Sequence, residues 1–137
     1  SHYVRCFDVQ LSAGNGSFID RASELPPIPF AEDFFGKKLT GRSASNMVIV
    51  DARGDSMVPV IGDGDLLMID TSDTVPADAI YGISYDNALL VKRLVKRPDQ
   101  IDLISSNPEY PIERVEGVDL DYLEIIGRVV WVGQTMV

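Results

Sequence analysis

From Asn46 onward the apolar residues fall in short runs separated by turn residues. Met47-Val48-Ile49-Val50 reads as a strand. Gly62-Asp63-Gly64 is a turn, and Asp65 to Asp70 is the strand that follows. Ile80 to Tyr85 and Ala88 to Val95 flank Asp86-Asn87, a hairpin-type turn. Ile101 to Ile104 and Leu123 to Val132 complete the set. Residues 1–45 look irregular by comparison. Tyr3 to Leu11 reads as an extended arm, and Ser12-Ala13-Gly14-Asn15-Gly16-Ser17 as a loop. Pro26, Pro27 and Pro29 stiffen the next stretch. Phe30 to Leu39 is the one modest helix candidate, ended at Gly41. Short strands, few short helices and frequent Gly, Pro, Asn and Asp predict an all-β, β-rich fold.

Composition narrows the chemistry. The 137 residues suit one domain, and 45% hydrophobic residues are enough to bury a core. The 21 acids exceed the 12 bases, for a net charge of −9. That balance argues against this chain gripping a polyanion by itself. No apolar run approaches the roughly 20 residues that span a bilayer, and no signal peptide opens the chain. Cys6 is the only cysteine and His2 the only histidine. An internal disulfide and a cysteine-rich zinc site are excluded, and histidine-based triads and metal sites are disfavoured. No metal or other cofactor is expected, and any hydrolysis must work without histidine.

The charge is also segregated. Gly54 to Val91 holds seven acids and no lysine or arginine, and Lys92 to Arg97 then places four bases in six residues. Two features carry candidate chemistry. In Arg53-Gly54-Asp55-Ser56-Met57-Val58-Pro59, Gly54 permits a tight backbone path and Pro59 limits any helix. A serine after such a turn presents its hydroxyl beside free backbone N–H groups, which suit an oxyanion. The same residues also make a plain Gly-Asp-Ser turn. If Ala88 to Lys96 is a strand, Lys92 lies between Leu90 and Leu94 on one face. An amine in apolar surroundings favours its neutral form and serves as a general base. Lys92 also reads as one of four exposed bases that keep an edge strand soluble. A nucleic-acid patch is the third reading, weakened by the net charge and by the lack of interleaved aromatics.

Four stretches in order carry a resemblance. Gly54-Asp55-Ser56-Met57-Val58-Pro59, with Gly62-Asp63-Gly64-Asp65 running into Leu66 to Asp70, resembles the nucleophile segment of the LexA-like serine peptidases. Val91-Lys92-Arg93-Leu94 resembles their general-base strand. Ser105-Ser106-Asn107-Pro108-Glu109-Tyr110-Pro111 resembles the Ser-x-Asn-Pro-x-Tyr stretch that follows, and Ile126 to Trp131 the closing strand. The resemblance covers about Met47 to Val132 and extends to phage repressors. It implies a LexA- and signal-peptidase-like fold of twisted antiparallel sheets. By its terms residues 1–45 are linker, cleavage-site loop and approach, and 46–137 a catalytic and dimerisation core.

The resemblance further implies a serine–lysine dyad of Ser56 and Lys92. The backbone N–H groups of Asp55 and Ser56 would form the oxyanion hole, with Gly54, Met57 and Pro59 shaping the turn. The scissile bond would be Ala13–Gly14, where glycine lets the loop bend toward the serine; an ordinary flexible linker has the same composition. The expected partners are a second copy of the chain and a RecA–single-stranded-DNA filament as co-protease. Operator DNA would be bound only through an N-terminal helix-turn-helix lying outside these residues. The expected setting is a bacterial or prophage-encoded cytoplasmic protein. Two alternatives stay open: a related mutagenesis protein of the polymerase-accessory kind, and a non-cleaving dimerisation module.

Overall fold

The computed structural model describes residues 1–8, 20, 22–134 and 136. Its nine strands form one sheet: β1 (His2–Asp8), β2 (Ser23–Phe30), β3 (Met47–Asp51), β4 (Leu66–Asp70), β5 (Ala79–Tyr85), β6 (Ala88–Arg97), β7 (Gln100–Ile104), β8 (Glu113–Glu116) and β9 (Leu123–Gly133). Their order is β2-β1-β3-β4-β9-β5-β6-β7-β8. The helical elements that lie wholly among the described residues are short: α1 (Glu32–Lys37) and two 3-10 turns, Ala44–Asn46 and Gly117–Tyr122. The all-β expectation therefore holds. The sheet is single and mixed, because β1 runs parallel to β3 while the other paired strands are antiparallel.

Apart from β8, the strands from Met47 onward lie where the apolar runs place them. The β5–β6 hairpin turns through Asp86 and Asn87, both at positive φ (48° and 66°), the geometry that tight hairpins require. The described residues before Asn46 are less irregular than their composition suggests. β1 and β2 pair with each other, and β1 joins the sheet beside β3. β2 holds Pro26, Pro27 and Pro29 because it is an edge strand, where a missing N–H removes no ladder bond on the open side.

Alternation along the central strands gives the sheet two buried faces. Val48, Val50, Leu67 and Ile69 pack with Phe7, Met57, Ile61 and Ile126. Their neighbours Met47, Ile49 and Met68 pack with Val4, Cys6, Phe35 and Leu39. Trp131 joins this second group, edge-on to Phe30 at 5.5 Å and to Phe34 at 6.3 Å between ring centroids. A third cluster, of Tyr81, Ile83, Leu94, Ile101, Leu103 and Val115, lies under β5 to β8. Gly127 has a packing reason: a Cβ there would lie 2.2 Å from the Asp70 carbonyl oxygen.

Candidate active site

The Ser56 turn leaves the sheet from the end of β3 and returns through Gly62–Asp65 into β4. Its frame is a short ladder of backbone bonds. Ala52 N–H donates to the Asp65 carbonyl at 2.8 Å, Gly64 N–H to the Ala52 carbonyl at 2.8 Å, and Ile61 N–H to the Met57 carbonyl at 2.8 Å. Gly54 takes φ +80°, a conformation that disfavours a side chain, and its N–H donates to Asp63 Oδ1 at 2.8 Å. Asp65 accepts from Gly62 N–H at 2.7 Å and from Gln134 Nε2 at 3.1 Å. Met57 and Ile61 anchor the turn in the core. Ser56 is half-buried, while Gly54, Asp55, Val58 and Pro59 are exposed. Among the described residues, neither the Asp55 nor the Ser56 N–H donates a hydrogen bond.

Lys92 sits in the middle of β6. Leu89 and Val91 pack toward one face of the sheet, and Leu90 and Leu94 toward the other. Lys92 shares the second face, as strand alternation requires. Burial pushes its amine below the ordinary lysine range, and the carboxylate of Glu113 on β8 opposes that shift. Its Nζ donates to Ser105 Oγ at 2.6 Å and lies 5.5 Å from the centre of the Tyr110 ring. The other bases of the run behave differently. Arg93 pairs with Asp78 at 3.3 Å and Arg97 with Asp102 at 2.8 Å, while the exposed Lys96 donates to the Arg97 carbonyl at 2.5 Å.

One segment joins the serine turn to the lysine. After β7 the chain passes through Ser105, which meets Lys92, and then reaches the Ser56 turn. Ser106 N–H donates to Met57 Sδ at 3.4 Å, and Asn107 N–H to the Ser56 carbonyl at 3.0 Å. Asn107 Nδ2 donates to the Asp55 carbonyl at 3.1 Å, and the Tyr110 hydroxyl donates to Asp55 Oδ1. Among the described residues, no hydrogen bond joins Ser56 to Lys92 directly; the Lys92 bond goes to Ser105.

Ala13 and Gly14 lie outside the described residues. The Ser105 hydroxyl is the feature that motif reading missed. Its signal was present in the hairpin: Arg97 pairs with Gln100 across the two-residue turn Pro98-Asp99, which sets Arg93 opposite Ile104 and leaves Ser105 opposite Lys92. Asp63, which holds Gly54, was likewise seen only as part of a turn.

The sequence model of the Peptidase S24-like family matches residues 6–130, and the chain belongs to that family. It is 32% identical over 94% of its length to an uncharacterised HTH-type transcriptional regulator of Haemophilus influenzae, covering 54% of that protein. It is 30% identical over 92% of its length to the 26 kDa repressor protein of Escherichia phage HK022, covering 55% of it. It is 33% identical over 90% of its length to the HTH-type transcriptional regulator PrtR of Pseudomonas aeruginosa, covering 50% of it. The chain thus spans about half the length of the curated relatives it matches.

Proposed function

We propose that this chain is the C-terminal self-cleaving and dimerisation domain of a phage-type, LexA-like transcriptional repressor. The observation that carries the reading is the bracket 105–110, which holds the Ser56 turn and the half-buried Lys92 together. The neutral amine of Lys92 takes the hydroxyl proton of Ser56. Ser56 Oγ attacks the Ala13 carbonyl carbon, and the Asp55 and Ser56 N–H groups receive the oxyanion. Collapse breaks the Ala13–Gly14 bond, and the Lys92 ammonium returns its proton to the Gly14 amine. Water then hydrolyses the Ala13 ester, with Lys92 again as base.

Topology supports this route. Ala13–Gly14 lies in the chain between β1 and β2, whose ends Asp8 and Ser23 are register partners. β1 is parallel to β3, so the chain leaves β1 at the end of the sheet from which the Ser56 turn also springs. A tethered substrate has a high effective concentration, so the reaction needs restraint. In this reading a RecA–single-stranded-DNA filament relieves the restraint by favouring the docked loop, adding no catalytic group. The repressor binds operator DNA through an N-terminal helix-turn-helix, acts as a homodimer and works in a bacterial or prophage-carrying cytoplasm. No helix among the described residues is long and apolar enough to cross a membrane.

The test is alkaline incubation followed by mass spectrometry. Cleavage at Ala13–Gly14 should speed up as pH rises, and Ser56→Ala and Lys92→Ala should each stop it. A folded wild-type chain that stays whole at high pH would overturn the reading. A second reading rests on the Lys92–Ser105 bond itself: with its amine engaged away from Ser56, the domain is a non-cleaving dimerisation module. The intact chain is that reading's expected result.

A further inference from the structure

We propose that Ser105 is a positioning residue for Lys92, fixing where its amine points and stabilising its ammonium form. This rests on the reading of Lys92 as the general base. The argument begins with register. β6 and β7 are antiparallel, with Arg93 opposite Ile104 and Leu94 opposite Leu103. One further step sets Ser105 opposite Lys92, and residues directly opposite in antiparallel strands project on the same face. On the other flank Tyr81 of β5 is the register partner of Lys92. Its hydroxyl is engaged elsewhere, donating to the Val75 carbonyl and accepting from Ala77 N–H, both at 3.0 Å.

Lys92 is therefore enclosed by Leu90 and Leu94 along its strand, by Tyr81 on one side and by the Tyr110 ring. Glu113 supplies the charge that acts on it from β8, and Asp55 lies behind Tyr110, bonded to its hydroxyl. Within this enclosure the hydrogen bond of Lys92 Nζ goes to Ser105 Oγ, at 2.6 Å. A hydroxyl has two lone pairs and one proton. It can accept from the ammonium and, once the amine is neutral, donate to it. Ser105 thus serves Lys92 in both protonation states. The two effects separate on mutation. Without the hydroxyl the ammonium loses an acceptor, so Lys92 deprotonates at lower pH. The amine also loses its aim, so the rate with Lys92 fully neutral falls.

The experiment has two arms. In a Ser56→Ala background, which keeps the chain whole, the Lys92 side chain is titrated by NMR with and without Ser105→Ala. The midpoint should move to lower pH on losing the hydroxyl and return with Ser105→Thr. In the otherwise wild-type chain, Ser105→Ala should lower the high-pH plateau of self-cleavage about tenfold, and Ser105→Thr should recover most of it. A general loosening of the fold would lower thermal stability without moving the Lys92 midpoint in this direction. If Ser105→Ala leaves both midpoint and plateau unchanged while wild type cleaves, the assignment of Ser105 is wrong. If the midpoint moves but wild type never cleaves, Ser105 still positions Lys92 and it is the peptidase reading that falls.

Discussion

The backbone N–H of Asn107 donates a 3.0 Å hydrogen bond to the carbonyl oxygen of Ser56. Two segments distant in the sequence are thereby fixed one against the other, and the first of them carries the candidate nucleophile. The Asn107 side chain strengthens the join. Its Nδ2 donates to the Asp55 carbonyl at 3.1 Å, while its Oδ1 accepts from Glu109 N–H at 3.0 Å and holds the bracket's own turn. Asn107→Ala should keep the backbone bond but remove the side-chain bonds to the Asp55 carbonyl and to Glu109 N–H, loosening the turn against the bracket. The expected result is self-cleavage slowed about tenfold, matching roughly 1–1.5 kcal/mol of hydrogen bonding. The melting temperature should fall by only about 3–5 °C. Single-turnover rates and a thermal melt on the same sample check both. A normal rate with a lowered melting temperature would make Asn107 a fold residue alone.

The pH profile of cleavage should carry the mark of Lys92's surroundings. Burial favours the neutral amine, and the Glu113 carboxylate favours the ammonium. The base is therefore available at a lower pH than an ordinary lysine would allow. Glu113→Gln removes the group that opposes burial, so the rising limb should move further toward acid and the rate at neutral pH should increase. Glu113 is exposed, which limits the gain to a few-fold. Rates measured across the alkaline range in both proteins decide it. A limb that moved toward alkali would show that Glu113 acts on the reaction by another route.

The sequence carried the inward lysine and hid its partner. Lys92 between Leu90 and Leu94 is a period-two pattern, and the strand obeys it because Leu94 is buried in the cluster beneath β5 to β8. The serine turn was legible because Gly54 and the Gly62–Asp65 return are punctuation that few other structures need. β2 was not legible, because its three prolines lack donors and weigh against a strand everywhere except at an edge. β8 was not legible either: Glu113-Arg114-Val115-Glu116 has a single apolar residue, and only Val115, fully buried against β7, shows why it pairs. The Ser105–Lys92 contact depends on a register set by a two-residue turn. A one-residue change in the turn would send Ser105 to the other face.

Gly127 and Gly82 face each other across β5 and β9, and Ile69 of β4 packs over both. Their intolerance of a methyl group should differ. At Gly127 the added Cβ would lie 2.2 Å from the Asp70 carbonyl oxygen, which is backbone and cannot yield without moving β4. At Gly82 it would lie 2.8 Å from Ile69 Cδ1, the end of a side chain that can rotate. Gly127→Ala should destabilise by about 3 kcal/mol and Gly82→Ala by about 1 kcal/mol. Urea midpoints at unchanged slope measure the difference. Equal losses would mean that the close approach of β4 and β9 is more pliable than the backbone distance implies.

The Arg42–Asp70 pair should govern stability in acid. The Asp70 side chain is 3% exposed, and Arg42 Nη1 donates to it at 2.8 Å and to Asp73 at 3.0 Å. Burial by itself pushes the Asp70 carboxyl up, but Ser72, through its hydroxyl at 2.6 Å and its N–H at 2.9 Å, and the Arg42 guanidinium together hold it below the usual carboxylate range. A carboxyl depressed in the folded state adds stability above its unfolded pKa, about 3.9, and loses it as pH falls through the lower folded value. Arg42→Met removes the cation and leaves a buried charge held by Ser72 alone. The loss should be about 3 kcal/mol at pH 7, the lower end for a broken buried pair because the Ser72 bonds remain. The gap to wild type should narrow below about pH 4, where Asp70 in the variant is protonated and no longer an unpaired charge. Denaturant titrations at pH 7 and pH 3.5 test this. An equal penalty at both values would assign the loss to the packing of the arginine stem and not to the charge.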